Sequence, residues 1–167
     1  METIVNRVAE SGIITLDLAS FIPGNEVAVF DLKPFLFREM ILREKDYREA
    51  LAAEDWEQYR NKHVAINCSA DAIIPVWAYM LAASALEPVA LSVYFGTETE
   101  MINALIQSKI KTMDIADYAD KRVVIKGCGD TAIPESAYVA ITHRLRPVVK
   151  SLMYGEPCSM VPVFKKK

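Results

Sequence analysis

The sequence has few of the residues that mark the commonest metal and nucleic-acid sites. Its 167 residues include only three cysteines and two histidines. The cysteines are far apart in the chain, so the close Cys-x2-Cys pairs of zinc domains are missing. Nineteen basic residues against 22 acidic ones leave a net charge of -3, so there is no basic surplus for a nucleic-acid surface. We therefore predict a protein that does not bind nucleic acid.

Long hydrophobic runs are also lacking. The longest apolar stretch, Ile73–Leu86, is too short to cross a bilayer. Residues Met1–Arg7 lack the basic block and apolar block that begin a secretory signal. We expect no membrane association and a cytoplasmic, reducing environment, in which thiols stay free. With 52% hydrophobic and 25% charged residues, the composition is that of a globular protein.

The chain contains an internal similarity at an offset of 59 residues. When residues 56–96 are aligned without gaps to residues 115–155, 14 of the 41 pairs are identical. About two or three identities would be expected by chance, so this similarity predicts two repeats of one structural unit.

Each repeat is predicted to contain a strand, a helix and a second strand. His63–Asn67 and Arg122–Lys126 are short β-branched runs typical of strands. Pro75 and Pro134 suit the first turn of a helix, where a missing N–H costs nothing. Further strands are predicted at Leu91–Phe95 and Val149–Tyr154, and a connecting helix at about Glu98–Lys111.

The order of these elements predicts an α/β fold. Consecutive strands that are joined by helices are almost always parallel. We therefore predict a single-domain, three-layer fold in which two duplicated β-α-β units form one parallel four-stranded sheet between helices.

Residues 1–55 are predicted to be an extension packed on the core formed by residues 56–167. Ile13–Leu18 and Val27–Leu32 are strand-like and flank a Pro-Gly-Asn turn signal, which predicts a β-hairpin. Helical segments are predicted near Pro34–Leu42 and Asp46–Glu54. No Gly/Ser/Pro-rich linker separates this part from the rest, so we predict one domain overall.

All three cysteines follow predicted strands. Cys68 follows His63–Asn67, Cys128 follows Arg122–Lys126, and Cys158 follows the last predicted strand. In a parallel sheet the carboxyl ends of all strands lie on one edge, where ligands bind. The topology therefore predicts that the three thiols converge on one site.

Three converging thiols would suit a metal. Three thiolates and an open position fit an iron–sulfur cluster with one exchangeable iron, or a zinc ion that keeps a water. A fourth ligand could come from Asp71, Asp130 or Glu156. We therefore predict metal binding through Cys68, Cys128 and Cys158.

Several alternatives remain open. Free cysteines often behave as small buried hydrophobes, in which case these three only pack and the protein is a metal-free interaction or scaffold protein. Asp71 and Asp130 each precede a helix, where a carboxylate can satisfy free N–H groups and complement the helix dipole.

The loop Lys126–Asp130 allows two further alternatives. It could hold a phosphate at a helix N-terminus, although it matches no phosphate-binding motif and Asp130 would repel the ligand. Cys128, between two glycines and near Lys126, could instead carry sulfur or act as a nucleophile.

Two features bear on partners. The helix Pro75–Leu86 is apolar nearly all round, which indicates either deep burial or a subunit interface. A homodimer is therefore one interpretation of the sequence.

Three cysteine-containing segments carry a family resemblance. Cys68–Leu81, Val123–Cys128 and Tyr154–Lys165 resemble the bacterial family called domain of unknown function 2480. The resemblance runs along nearly the whole chain. The family label names no activity, so whether the protein is an enzyme stays open.

The family also has a genomic setting. Its genes often lie beside those of the sulfur-mobilising iron–sulfur assembly system, which implies a role, and partners, near cluster assembly. The family has no regular acid at the position of Asp130, and this puts a ligand role for that residue in doubt.

Overall fold

The structure is a computed structural model that describes residues 12–24, 26–126, 129–156 and 159–167. These residues form two compact units. Unit 1 comprises the described parts of residues 1–22 and 103–167, and unit 2 comprises the described part of residues 23–102. The strands are β1 (Ile13–Leu16), β2 (Val27–Asp31), β3 (His63–Asn67), β4 (Ser92–Phe95), β5 (Arg122–Ile125), β6 (Ser151–Glu156) and β7 (Ser159–Lys165). The α-helices are α1 (Glu44–Ala53), α2 (Val76–Leu86), α3 (Glu98–Thr112) and α4 (Glu135–Leu145).

Unit 2 is built on a three-stranded parallel sheet, which we call sheet 2. Its order is β2-β3-β4, and His63 lies opposite Val27 on one side and Ser92 on the other. Val64, Ala65 and Ile66 of the central strand are all buried. Consecutive burial is typical of a parallel strand that is covered on both faces.

Unit 1 is built on a mixed sheet of four strands, which we call sheet 1. Its order is β1-β5-β6-β7. The first three strands are parallel, with Ile125 opposite both Leu16 and Tyr154. The last strand, β7, is antiparallel to β6, with Tyr154 opposite Val161.

The two helices that follow the central strands bury the same kind of face. In α2 the fully buried residues are Ala78, Ala82 and Leu86, and in α4 they are Ala137, Ile141 and Leu145. A spacing of four residues places each set on one stripe of its helix. Both helices stop two residues before a proline, which cannot continue a helix.

An aromatic core fills unit 2. Phe30 and Tyr47 are among its largest fully buried side chains. The Tyr47 hydroxyl donates a hydrogen bond to the carbonyl oxygen of Ala78 at 2.9 Å. Burial, with a smaller effect of Tyr79, raises the pKa of Tyr47 to about 12, so its hydroxyl stays protonated and can donate.

The predicted single parallel four-stranded sheet is wrong. Strands β3 and β4 belong to sheet 2, whereas β5 and β6 belong to sheet 1, which also contains an antiparallel strand. The local patterns identified β3, β4, β5 and β6, but strands that follow one another in sequence are neighbours only about two-thirds of the time.

The predicted N-terminal hairpin is also wrong. Strand β1 pairs in parallel with β5, and β2 pairs in parallel with β3. Strand β1 is the fourth strand of sheet 1, and β2 is the third strand of sheet 2, which would otherwise be a marginal two-stranded sheet. Residues 13–31 are therefore integral to both sheets rather than an extension.

Outside the two repeats, two of the predicted helices are confirmed and one is wrong. Helix α1 and the connecting helix α3 are confirmed. The helix predicted at Pro34–Leu42 is wrong, because only Lys33–Phe35 forms a 3-10 turn and Arg38 and Glu39 have positive φ angles. Every described helix is too short or too polar to span a lipid bilayer.

Candidate functional site

A cleft of about 560 Å³ opens at the carboxyl edge of sheet 1. We call it cleft 1. Its walls come from the ends of β5 and β6, the turn after β1 and the first turns of α4. The side chains that give it chemical character are Asp17, Lys126, Glu135, Tyr138, Thr142 and Tyr154.

An ion pair between Asp17 and Lys126 lies in cleft 1. One carboxylate oxygen of Asp17 accepts a hydrogen bond from the Ala19 N–H at 2.9 Å. The other lies 3.2 Å from the Lys126 Nζ. The Ala19 hydrogen bond, opposed by burial and assisted by Lys126, holds the pKa of Asp17 below its usual value. The carboxylate therefore stays charged well into the acidic range.

Other carboxylates surround Lys126. The hydrogen bond and charge of Asp17 raise the pKa of Lys126, and the charges of Glu156 and Asp130 raise it further. Glu135, in the first turn of α4, adds another acid to the lining. Asp17 pairs with Lys126, and Glu135, Glu156 and Asp130 are three further acids in the lining and its surroundings. This balance favours a cation over a phosphate at this edge.

Two tyrosines form an aromatic wall of cleft 1. The rings of Tyr138 and Tyr154 meet edge to face, with centroids 5.7 Å apart. The Tyr154 side chain remains 41% exposed. Edge-to-face pairs hold rings in a defined orientation, so the wall presents a fixed apolar surface beside the charged residues.

Two of the predicted thiol ligands, Cys128 and Cys158, lie outside the described residues. The strand ends that precede them are described. Ile125 at the end of β5 lies opposite Tyr154 in β6, so the two strands run side by side to the edge where cleft 1 opens. Residue 128 is three positions beyond the end of β5, and residue 158 lies in sequence between β6 and β7.

Cys68 lies in unit 2. It follows β3 of sheet 2, is half-buried, and packs against the core cluster of that unit. Its thiol donates a hydrogen bond to the Ala70 carbonyl at 3.8 Å. Because β3 belongs to a different sheet from β5 and β6, the expectation that one sheet edge gathers all three thiols is wrong in its premise.

The predicted carboxylate ligands also belong to different units. Glu156 ends β6 in sheet 1 and is half-buried, whereas Asp71 is exposed in unit 2. The N-cap residues of α2 and α4 are Pro75 and Pro134, so neither Asp71 nor Asp130 occupies an N-cap position. Within the described ranges, no three His, Cys, Asp or Glu side chains group closely enough to hold a metal ion.

Unit 2 has a cleft of about 540 Å³ between α2 and the ends of β3 and β4. We call it cleft 2. Six of its seven lining residues precede a lining residue of cleft 1 by 59 positions, the offset of the sequence similarity. The pairs are Ile66 and Ile125, Val76 and Glu135, Tyr79 and Tyr138, Ala83 and Thr142, Val93 and Leu152, and Phe95 and Tyr154.

The two clefts share an aromatic pair and differ in polarity. The Tyr79 and Phe95 rings meet edge to face at 5.0 Å, as Tyr138 and Tyr154 do in cleft 1. Three apolar positions of cleft 2 carry polar groups in cleft 1, namely Glu135, Thr142 and the Tyr154 hydroxyl. The polar cleft is suited to a small polar ligand, and the apolar one to an apolar group.

Sequence reasoning did not find the role of Asp17. A signal was present, because Asp17 directly follows the short strand β1 and Asp31 is the last residue of the short strand β2. In unit 2, the carboxylate of Asp31 accepts hydrogen bonds from the backbone and hydroxyl of Ser69. Burial raises the pKa of Asp31, but the hydrogen bonds from Ser69 and Lys33 outweigh it, so the net pKa is lowered.

Together, the fold and the clefts define a class of α/β protein with two compact units, each built on parallel strands with a cleft between the strands and the following helix. The chain belongs to the family described as "Protein of unknown function (DUF2480)", which matches residues 2–166. This confirms the resemblance of the cysteine-containing segments. Neither a curated protein nor a solved structure matches the chain.

Proposed function

We propose that this protein binds a metal at the mouth of cleft 1, with the thiolates of Cys128 and Cys158 as ligands. The observation that carries the proposal is the pairing of β5 with β6, which puts Ile125 opposite Tyr154. Neighbouring strands lie about 4.8 Å apart, so loops that leave adjacent strand ends can supply ligands to one ion.

The charges of cleft 1 support a cation at this place. The carboxylates that we propose as further ligands are Asp17, which lines cleft 1, and Glu156, which is the last residue of β6. In unit 2, Asp31 is hydrogen-bonded to Ser69, the residue 59 positions before Cys128. Strand β1 pairs with β5 as β2 pairs with β3, so Asp17 occupies in sheet 1 the place that Asp31 occupies in sheet 2. We therefore propose that Asp17 and Cys128 bind the same metal.

The bound group that we propose is zinc or an iron–sulfur cluster. Thiolates with one or two carboxylates suit zinc, and a cluster would suit the role near iron–sulfur assembly that the family resemblance implies. Cys68 was predicted as a third ligand, but its packing against the core of unit 2 favours a structural role.

The experiment is metal analysis of protein purified without oxygen. Zinc, iron and acid-labile sulfide are measured per chain for the natural protein and for three single Cys→Ala variants. We expect a near-stoichiometric metal that is mostly lost in Cys128→Ala and Cys158→Ala but kept in Cys68→Ala, the matched control. A metal-free natural protein, or equal metal in all variants, would contradict the proposal.

We also infer that units 1 and 2 descend from one duplicated unit. The 14 identities in 41 aligned pairs and the matching positions of the two clefts support this inference. In this view, cleft 1 kept or gained polar groups for a ligand while cleft 2 became apolar.

A second candidate function is that of a metal-free interaction protein. The observation that favours it is the exposure of Val76, Met80 and Phe95 around cleft 2, at 74%, 66% and 68%. Clustered exposed apolar side chains usually mark an interaction surface. If a triple variant lacking all three cysteines keeps its fold and its cellular role, this candidate replaces the first.

A further inference from the structure

Strand β4 leaves one edge of sheet 2 open. It pairs with β3 on one side, and no other strand in the described part of the chain pairs with it. An open edge presents unpaired N–H and C=O groups, which natural proteins usually cover or protect.

The corresponding strand of sheet 1 is covered. Strand β6 pairs with β5 on one side, as β4 pairs with β3, and on its other side it pairs with β7 from Ser151 to Glu156. Val163 of β7 lines cleft 1. The cover that fits this position is therefore an antiparallel strand that also contributes an apolar side chain to the neighbouring cleft.

The surface beside β4 is apolar. Val76 and Met80 of α2 and Phe95 of β4 line cleft 2 and are mostly exposed. We call these three residues the β4 face. Their exposed fractions are 74%, 66% and 68%, so they form an apolar surface beside the open edge.

The β4 face carries no charge of its own. Helix α2, from Val76 to Leu86, and strand β4, from Ser92 to Phe95, contain no Asp, Glu, Lys or Arg. Two faces with the same charge would repel each other when related by a twofold axis. The β4 face has no such charge, so two copies of it can meet about a twofold axis without repulsion.

We propose that a second copy of this chain covers the β4 face. The two β4 strands pair antiparallel about a twofold axis, which joins the two copies of sheet 2 into one six-stranded sheet. Met80 and Phe95 of each copy pack against the same residues of the other copy. Antiparallel pairing of identical strands satisfies both edges in one closed contact.

The test compares two matched substitutions on corresponding helices. Met80→Asp places a charge in the proposed interface. Val139→Asp, 59 positions later on α4, places the same charge on a residue that is 70% exposed in unit 1. The mass in solution is measured by light scattering and sedimentation across the micromolar range. We expect a dimer for the natural protein and for Val139→Asp, and a monomer for Met80→Asp and Phe95→Asp.

Two further measurements keep the result interpretable. Circular dichroism establishes that each variant is folded, as expected for changes at exposed positions. Amide hydrogen exchange of Ser92–Phe95 in the natural protein should slow as the concentration rises. A natural protein that stays monomeric would overturn the proposal and leave an extended segment of another protein as the occupant, and a dimer that survives both Met80→Asp and Phe95→Asp would overturn it too.

The proposed dimer does not depend on the proposed metal site. Met80→Asp changes unit 2, whereas the proposed ligands Cys128 and Cys158 belong to the sequence of unit 1. We therefore expect the metal content of Met80→Asp to equal that of the natural protein, so the two proposals can fail separately.

Discussion

At the scale of single residues, the hydrogen bond from Ala19 and the ion pair with Lys126 make the contribution of Asp17 to stability depend on pH. The folded protein lowers the pKa of Asp17 below 3.8, so the stabilisation is present above that value and is lost as the pH falls through the folded pKa. The pKa of Lys126 is raised above 10.5, so its part is present below that value and is lost as the pH rises through the folded pKa.

The substitution Asp17→Asn tests this dependence. Asparagine can still accept a hydrogen bond from the Ala19 N–H, so the change removes the charge and keeps this hydrogen bond. We expect a small loss of stability at neutral pH, because both side chains are partly exposed, and a smaller difference from the natural protein in strong acid. The measurement is urea unfolding at both pH values, and an equal difference at both would count against the ion pair.

Tyr47 provides a second prediction, about the core of unit 2. Tyr47→Phe removes the hydrogen bond to Ala78 and leaves the ring in place, so we expect a loss of about 1 kcal/mol in the free energy of unfolding. Tyr118→Phe is the control, because the Tyr118 hydroxyl makes no hydrogen bond with the described residues. Chemical unfolding measures both, and equal losses would mean that the Tyr47 hydroxyl contributes nothing specific.

The ion pair of Asp17 and Lys126 could not be predicted from the sequence. The contact of Asp17 with Lys126 joins residues 109 positions apart. No periodicity or spacing predicts such a pair, because it depends on β1 lying beside β5. The polar loop after β5 was recognised as chemically interesting, but its partner across the cleft could come only from the three-dimensional fold.

At the scale of elements, Gly155 allows β6 and β7 to approach each other closely. Its φ angle of +125° is one that side chains rarely adopt, and a Cβ there would collide with the Ser159 carbonyl oxygen. We expect Gly155→Ala to destabilise the protein by about 2 kcal/mol or more. Gly24→Ala, where a Cβ would meet nothing within 4 Å, should change stability by less than about 1 kcal/mol. Thermal and chemical unfolding compare the two, and a mild effect at Gly155 would show that the pairing of β6 with β7 tolerates a side chain there.

Local patterns predicted most elements but not their neighbours. His63–Asn67 was predicted as a strand with the bounds that β3 has, because a short β-branched run is a local property. The pairing of β1 with β5 depends on contacts between distant parts of the chain, and the sequence of β1 alone does not contain that information. Strand β7 was missed because Pro162 interrupts its pattern, and proline is tolerated there since β7 is an edge strand with an irregularity opposite Met153.

At the scale of the whole molecule, the two compact units differ in how the chain forms them. Unit 2 is one continuous segment, whereas unit 1 needs residues from both ends of the chain. The core cluster of unit 2, from Phe30 to Leu86, lies entirely within that segment. Because a domain folds on its own when its core is complete, the two units should respond differently to separation.

Separate pieces of the chain test whether each unit can fold on its own. Residues 23–112 include unit 2 and the whole of α3, so we expect this fragment to fold and to unfold cooperatively. Residues 113–167 lack β1, whose Leu16 pairs with Ile125, and also lack the buried Ile106 and Ile110 of α3, so we expect this fragment to be unfolded or much less stable. Joining residues 1–22 to 103–167, the two segments of unit 1, through a flexible linker should restore a cooperative transition. Circular dichroism and thermal unfolding measure all three, and a disordered 23–112 fragment would show that the core of unit 2 depends on the rest of the chain.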